Sequence, residues 1–243
     1  MKLVADYSIY TNFSAGQDSL EEIVKVAKQK GLKKIAITEY GYKHKYFRLL
    51  KKDLPILKRQ IARLKEKYKI EILLGIEANI ISRQGDIDVN KEEQQEFDFI
   101  ALNYKKAVYF KNFREWMLFK MPNKLSKICP SSKKLIEVNT NAYINAINKN
   151  KINAVVNLGK NLKVDATKIF KAMKKNNVYF SFYGAFKKNY DTIIKDAIKT
   201  NVKFLLNSGA KEKSKVGECP FGYKFALKLK VPASSLVNVY QGK

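Results

Sequence analysis

Seven short apolar segments, separated by helical sequence, constrain the fold of this chain more than any other feature. They span residues 3–10, 34–39, 70–79, 97–104, 153–159, 178–183 and 203–208. Nearly continuous apolar sequence is typical of strands that are covered on both faces in a parallel sheet. Helical sequence follows each segment, so the alternation predicts an α/β fold in the form of a (βα)7 barrel. We find no linker, repeat or low-complexity segment, and residues 1–243 are expected to form one domain.

Polar residues indicate where the helices begin and end. Ser19 opens the sequence SLEE, which is a capping box, and Gly31 is the expected end of that helix. Asp165 is placed to cap the helix that follows it, and either Ser131 or Ser132 caps another. Further helical sequence covers residues 54–68, 190–201 and 220–230.

The chain is strongly basic. It has 48 Lys and Arg against 22 Asp and Glu, which gives a formal net charge of +26. A Lys-rich coding bias would raise Glu as well, so it does not explain the imbalance. A charge of this size increases affinity for polyanions through counterion release, whatever the fold. Nucleic acid or another polyanion is therefore a candidate partner, and a protein partner is the alternative.

The sequence predicts a cytoplasmic protein. No uncharged apolar run is long enough to cross a membrane, and the N-terminal sequence MKLVADYSIY is not a signal peptide. Cys129 and Cys219 are expected to be reduced thiols, because no export signal is present and two cysteines are too few for a Cys-based zinc site.

The strand ends are where a functional site is expected, because barrels of parallel strands build their sites at the carboxyl ends of the strands. The candidate site residues at these ends are Ser8, Tyr10, Glu39, Tyr40, Glu77, Tyr104, Asn157, Ser181, Tyr183 and Lys211.

Sequence motifs at these strand ends resemble those of the PHP (polymerase and histidinol phosphatase) family. They are, in chain order, ADYSIYTNFSAGQDSLEEIV, AITEYG, GIEANII, FDFIALNY, NAVVNLG, VYFSFY and FLLNSGAKEKSKVGE. The order and spacing hold over essentially the whole chain. The resemblance implies a distorted TIM-like barrel and, in active members, a phosphoesterase that binds two or three divalent metals at the strand ends.

The family's metal ligands are His, Asp and Glu, and most of them are replaced in this sequence. The substituted positions are Ser8, Tyr10, Ala15, Glu39, Tyr40, Tyr104, Asn157, Gly209 and Lys211. Among the implied ligands, Glu77 alone is retained unchanged. Imidazole and carboxylate groups are what Zn, Mn or Fe require, so neither a metal nor another cofactor is expected.

Two interpretations of function follow from the resemblance. The first is a catalytically inactive PHP-fold protein that binds a phosphorylated or polyanionic ligand or a protein partner. The alternative is a metal-dependent phosphoesterase with an atypical or residual active site.

Without a metal, a buried Glu77 needs a counter-charge or must take up a proton. We hypothesise that the Lys211 ammonium replaces the metal charge and pairs with Glu77 or Glu39, the alternative being that Lys211 points to solvent. The tyrosines at the strand ends could stack a ligand, or they could fill the volume that metals and water would occupy.

His44 is the sole histidine and follows the AITEYG motif. It is expected at the surface, and the alternative is a group on the substrate side of the site. A single histidine offers no partner for general acid–base or metal chemistry.

Residues 105–134 combine basic and aromatic side chains, and Glu115 is their single acidic residue. The pattern fits a nucleic-acid surface, an amphipathic helix at an anionic membrane, or a partner-docking helix. It equally fits a helix that covers the barrel with its aromatic side chains inward. The candidate surface residues are Lys105, Lys106, Lys111, Arg114, Trp116, Lys120 and Lys124.

Overall fold

The computed structural model describes residues 1–126, 132–182 and 190–240. Seven parallel strands form a nearly closed barrel, and a short antiparallel pair joins the two ends of the described chain. The strands are β1 (Lys2–Leu3), β2 (Ala5–Ile9), β3 (Lys34–Tyr40), β4 (Glu71–Asn79), β5 (Phe99–Asn103), β6 (Ala154–Val156), β7 (Tyr179–Phe182), β8 (Phe204–Leu206) and β9 (Val239–Tyr240). The barrel order follows the sequence from β2 to β8, which confirms the predicted (βα)7 barrel.

Helices cover the outside of the barrel. They are α1 (Leu20–Gln29), α2 (Leu54–Tyr68), α3 (Phe113–Glu115), α4 (Met121–Leu125), α5 (Lys133–Lys149), α6 (Ala166–Lys175), α7 (Tyr190–Lys199) and α8 (Pro220–Lys228). A π-helical segment, Trp116–Lys120, joins α3 to α4 in one continuous helical stretch.

The predicted helix ends are largely confirmed. Ser19 and Glu22 form a reciprocal capping box at the start of α1, and Gly31, just past its end, has a φ of 77°. Asp165 caps α6, and Ser132 caps α5. Ser131, the other candidate cap for α5, lies outside the described residues.

Apolar side chains of the strands fill the barrel interior. A cluster formed by strand residues alone contains Ala36, Phe99, Ala101, Ala154 and Leu205, among others. A second and larger cluster combines the opposite faces of the strands with the inner faces of the helices. The interior is therefore a packed core. A site is expected at the carboxyl ends of the strands, which we call the barrel mouth.

The seam between β2 and β8 is closed by hydrogen bonds of both the backbone and side chains. The Tyr10 N–H donates to the Ala210 carbonyl at 2.9 Å. Asn238, buried just before β9, donates from Nδ2 to the carbonyls of Ala5 (2.8 Å) and Leu206 (2.6 Å). Its Oδ1 accepts from the Leu206 N–H at 3.0 Å. One side chain near the C-terminus thus joins the first and last barrel strands.

Some expectations need correction or fall outside the described residues. β6 and β8 have only three residues each, because the residues that follow them, 157–159 and 207–208, lie in loops rather than in strand. Cys219 is a buried free thiol whose pKa burial raises to about 12, whereas Cys129 lies outside the described residues. Among the helices of the described chain, none is long and apolar enough to span a membrane.

Candidate functional site

Glu77 lies at the centre of a buried polar cluster at the barrel mouth. β4 carries it next to β3 and β5, and its side chain is 1% exposed. The Tyr10 hydroxyl donates to Oε2 and lies 3.2 Å from the Ser8 Oγ. The Asn103 amide donates to Oε1 at 2.5 Å. Side chains from the ends of β2, β4 and β5 therefore meet at one carboxylate.

Lys105 supplies the counter-charge of Glu77. Its Nζ lies 2.8 Å from Glu77 Oε1, and its side chain is only 13% exposed. The same ammonium lies against the face of the Tyr40 ring. A cation held between a carboxylate and an aromatic face is stabilised by both groups.

The hypothesis that Lys211 pairs with Glu77 or Glu39 is wrong. Within the described residues, no ion pair joins Lys211 to either carboxylate; its exposed ammonium lies 5.4 Å from the centre of the Tyr40 ring. The strand order explains the difference. Lys105 follows β5, which is adjacent to the β4 strand of Glu77, whereas Lys211 follows β8 on the far side of β2 and β3.

The ion pair determines the charge state of Glu77. Burial disfavours the charged carboxylate, but the Lys105 ammonium and the hydrogen bonds from Tyr10 and Asn103 outweigh it and lower the pKa of Glu77. Burial likewise lowers the pKa of Lys105, to about 8, although Glu77 opposes this effect. At neutral pH the carboxylate is charged and the ammonium remains largely protonated.

Glu39 is a second buried carboxylate with a different environment. Its Oε1 accepts from the Thr11 N–H at 3.0 Å and from the Thr11 hydroxyl, and its Oε2 accepts from the Ser14 hydroxyl. Burial raises the pKa of Glu39 to about 7, and these hydrogen bonds only partly oppose the shift. Glu39 therefore holds the loop after β2 in place.

His44 is buried, so its expected surface position is wrong. Its Nδ1 accepts the backbone N–H groups of Tyr46 (3.4 Å) and Phe47 (3.2 Å), which assigns the proton to Nε2. Burial and then the charge of Lys105 lower the pKa of His44 to about 4. The imidazole is a neutral donor, and its ring packs 4.8 Å from that of Tyr40.

Other candidate site residues are structural. Tyr104 is buried between Phe110 and Phe119, so it fills core volume rather than facing a ligand. The Ser181 hydroxyl accepts from Asn207 at 2.8 Å, and Asn157 is buried in a left-handed turn with φ 54°. Tyr183 lies outside the described residues.

Sequence reasoning missed several site residues. Side chains alternate across a strand, so the inward residue at the end of β5 is Asn103 when Tyr104 points outward. Asp6, which accepts N–H groups from Ser8, Ser208 and Gly217, was also missed. Its charged side chain inside an apolar strand segment was the available signal.

The basic and aromatic residues after β5 do not act as one surface. Lys105 belongs to the mouth, and Lys111 pairs with Asp86 at 3.0 Å. Trp116 is 38% exposed. Its exposure contradicts the interpretation that the aromatic side chains point inward. The remaining basic candidates for this surface lie along the helical stretch or before it: Lys106, Arg114, Lys120 and Lys124.

A family model for the PHP domain matches residues 6–182. The chain belongs to the PHP family. Two curated relatives carry the name "Probable phosphatase". The Caldicellulosiruptor bescii protein is 27% identical, over 91% of this chain and 85% of its own. The Acetivibrio thermocellus protein is 23% identical, over 98% and 92%.

Solved PHP-family structures share the fold. A histidinol phosphate phosphatase from Lactococcus lactis, complexed with Zn, L-histidinol and phosphate, superposes with a TM-score of 0.64 at 16% identity. The match covers 96% of this chain and 94% of that protein. At this identity the likeness shows a common barrel.

The mouth does not fit the metal cluster that membership of the PHP family implies. Tyr10, Asn103 and the Lys105 ammonium already engage the two oxygens of Glu77. His44 uses its Nδ1 on backbone N–H groups. In the ranges that the structure describes, no three His, Cys, Asp or Glu side chains are grouped to hold a metal ion.

Proposed function

We propose that this PHP-family protein binds a phosphate-type anion at its barrel mouth without a metal cluster and does not hydrolyse phosphoesters there. The observation that carries the proposal is the ion pair between Lys105 and Glu77, 2.8 Å apart. A fixed ammonium takes the place of a metal charge beside the one acidic ligand that the chain retains.

The groups around Tyr40 supply donors rather than acceptors. Lys105 Nζ is buried between Glu77 and the face of the Tyr40 ring, so it contributes a fixed positive charge to this region. The protonated Nε2 of His44 has no acceptor among the described residues. Lys211 adds an exposed ammonium beside the same ring. Several convergent donors are what an oxyanion requires.

The charges of the mouth also favour an anion. The charge of Glu77 is balanced by Lys105, His44 is neutral, and Lys211 remains as an uncompensated cation. Burial raises the pKa of Glu39 to about 7, so at neutral pH this carboxyl group offsets the cation only in part. The structural neighbour that contains phosphate supports phosphate as the class of ligand.

The test combines metal analysis with ligand binding. Untagged protein, purified without chelator, is expected to carry substoichiometric Zn, Mn and Fe and to bind inorganic phosphate in a calorimetric titration. Lys211→Ala should weaken phosphate binding about tenfold, because it removes one charge-assisted hydrogen bond. Lys224→Ala, at an exposed lysine of α8, is the matched control and should leave phosphate binding unchanged.

A paired substitution separates binding from folding. Lys105→Met leaves Glu77 buried without its cation and is expected to destabilise the fold, so Lys105→Met is combined with Glu77→Gln. The double variant should fold, as judged by circular dichroism, and lose phosphate binding. Wild-type phosphate affinity in this variant would overturn the proposal. So would stoichiometric metal with turnover of p-nitrophenyl phosphate.

A further inference from the structure

A cavity of about 450 Å3 lies between the loop after β3 and the helical stretch that begins with α3. We call this cavity the aromatic cleft. Its aromatic and basic lining includes Lys45, Tyr109, Phe113, Trp116 and Lys120. None of these residues belongs to the mouth cluster around Glu77. Its volume is within the range of small-ligand pockets.

Exposed aromatic rings form one wall of this aromatic cleft. Phe113 is 72% exposed and Tyr109 is 54% exposed. The Phe113 and Trp116 rings are stacked, with centroids 5.6 Å apart and planes only 20° apart. Large aromatic side chains are normally buried, so the exposure of these two rings is unusual. Because they are nearly parallel, they form a flat platform on which another ring can stack.

Uncompensated cations flank the platform. Lys45 Nζ lies 5.0 Å from the centre of the Tyr109 ring, and Lys120 Nζ lies 5.6 Å from that of Phe110. Neither lysine has an ion pair within the described chain. Burial and the charges of Lys45 and Lys124 lower the pKa of Lys120, as expected where cations face one another.

Acidic residues do not offset these cations. None of the described residues that line the aromatic cleft is acidic. Glu115, the nearest acid in sequence, turns away from the cleft, is buried and binds the Arg83 guanidinium through both carboxylate oxygens, at 3.0 and 3.2 Å. The cleft therefore keeps its positive charge.

The cleft is held in shape by backbone pairing. The Lys45 N–H donates to the Ala107 carbonyl at 2.9 Å, and the Tyr109 N–H donates to the Lys43 carbonyl at 3.0 Å. Phe119, which is fully buried, fixes the helical stretch to the barrel. A site that is already ordered loses little conformational entropy when a ligand binds.

We propose that this aromatic cleft binds single-stranded nucleic acid, with a base stacked on the Phe113–Trp116 platform and adjacent phosphates beside Lys45 and Lys120. Stacking platforms flanked by basic side chains bind single strands because every base has a π face and every linkage a phosphate. A concave cleft accepts one base between its walls, whereas an anionic membrane would require an apolar surface that projects outward.

Trp116 is the single tryptophan of the chain, so its fluorescence reports on this cleft directly. Oligothymidylate of about ten nucleotides, a length typical of such sites, should quench it on binding. Phe113→Ala should weaken binding at least about tenfold through lost stacking. Lys45→Ala and Lys120→Ala should each reduce the magnitude of the slope of log K against log salt by about 0.7, the value for one phosphate contact with a single strand.

Phe221→Ala, at an exposed phenylalanine of α8, is the matched control and should leave binding unchanged. Lys211→Ala should also leave it unchanged, which separates this site from phosphate binding at the mouth. Any of three results would overturn the proposal: binding without quenching of Trp116, equal affinity of wild type and Phe113→Ala, or tighter binding to phosphatidylserine vesicles than to the oligonucleotide.

Discussion

Two buried carboxylates on the adjacent strands β3 and β4 differ in charge because their nearest neighbours differ. Glu77 meets an ammonium, and its pKa falls. Glu39 meets only hydroxyl and amide donors, and burial raises its pKa to about 7. Hydrogen bonds from neutral groups compensate burial less than a cation does. At the residue scale, the identity of one neighbour therefore decides whether a carboxylate at this mouth is charged.

Glu39 should make stability fall as pH rises through the weakly acidic range. Its ordinary pKa is 4.5, so between pH 4.5 and about 7 the folded state holds a proton that the unfolded state has lost. Relative to Glu39→Gln, the wild type is expected to lose about 3 kcal/mol of unfolding free energy across this interval. Urea unfolding of both proteins at several pH values measures the difference.

The comparison with Glu39→Gln is needed because other groups titrate in the same range. His44, whose pKa is lowered to about 4, makes stability rise with pH between about 4 and 6.5 and opposes the effect of Glu39. Burial also raises the pKa of Asp6 and of Asp88. Subtracting the unfolding free energy of Glu39→Gln from that of the wild type at each pH removes these shared contributions. Parallel pH profiles of the two proteins would contradict the assignment of a raised pKa to Glu39.

At the scale of single elements, the capping box of α1 offers a direct test. Ser19 accepts the Glu22 N–H, and the Glu22 side chain accepts the Ser19 N–H at 3.1 Å. Ser19→Ala should lower the unfolding free energy by about 1 kcal/mol, because one N–H at the helix start loses its acceptor. Ser234→Ala, at an exposed serine of a short 3-10 turn away from α1, is the control for chemical denaturation. Equal losses in both variants would contradict the role of the cap.

The helical stretch from α3 to α4 shows how a single element can be misread. Its spacing predicts Phe113, Trp116 and Met117 on the inner face, yet all three are exposed. Phe119 and Asn123 point inward instead. The Met121 N–H donates to the Trp116 carbonyl, five residues earlier, which is the hydrogen bond of a π-helix. An extra residue in one turn changes the direction in which the following side chains point. The α-helical period therefore no longer predicts which of them are buried.

At the scale of the whole molecule, Asn238 contributes to the closure of the barrel. Its three hydrogen bonds to Ala5 and Leu206 cross the seam between β2 and β8. Asn238→Ala leaves these buried backbone groups unsatisfied and should lower the unfolding free energy by about 3 kcal/mol. Thermal and urea unfolding measure the loss.

Asn141→Ala, at an exposed position of α5, provides the control for Asn238→Ala and should be close to neutral. If the two variants were equally stable, the seam would be held by other contacts. Hydrogen exchange would localise the effect, since amides of β2 and β8 should lose protection before those of β4.

The sequence by itself determined the barrel, because the apolar run of each strand and the caps of α1, α5 and α6 are local signals that agree with one another. It also identified Glu77, Tyr10 and Tyr40 as residues of the mouth. Only the tertiary structure decided that Lys105 rather than Lys211 pairs with Glu77, that His44 is buried, and that Phe113 and Trp116 face outward. Those outcomes depend on strand adjacency, on the pairing of distant loops and on one π turn. They join residues far apart in the chain, and no local pattern records which of two lysines will lie beside a carboxylate.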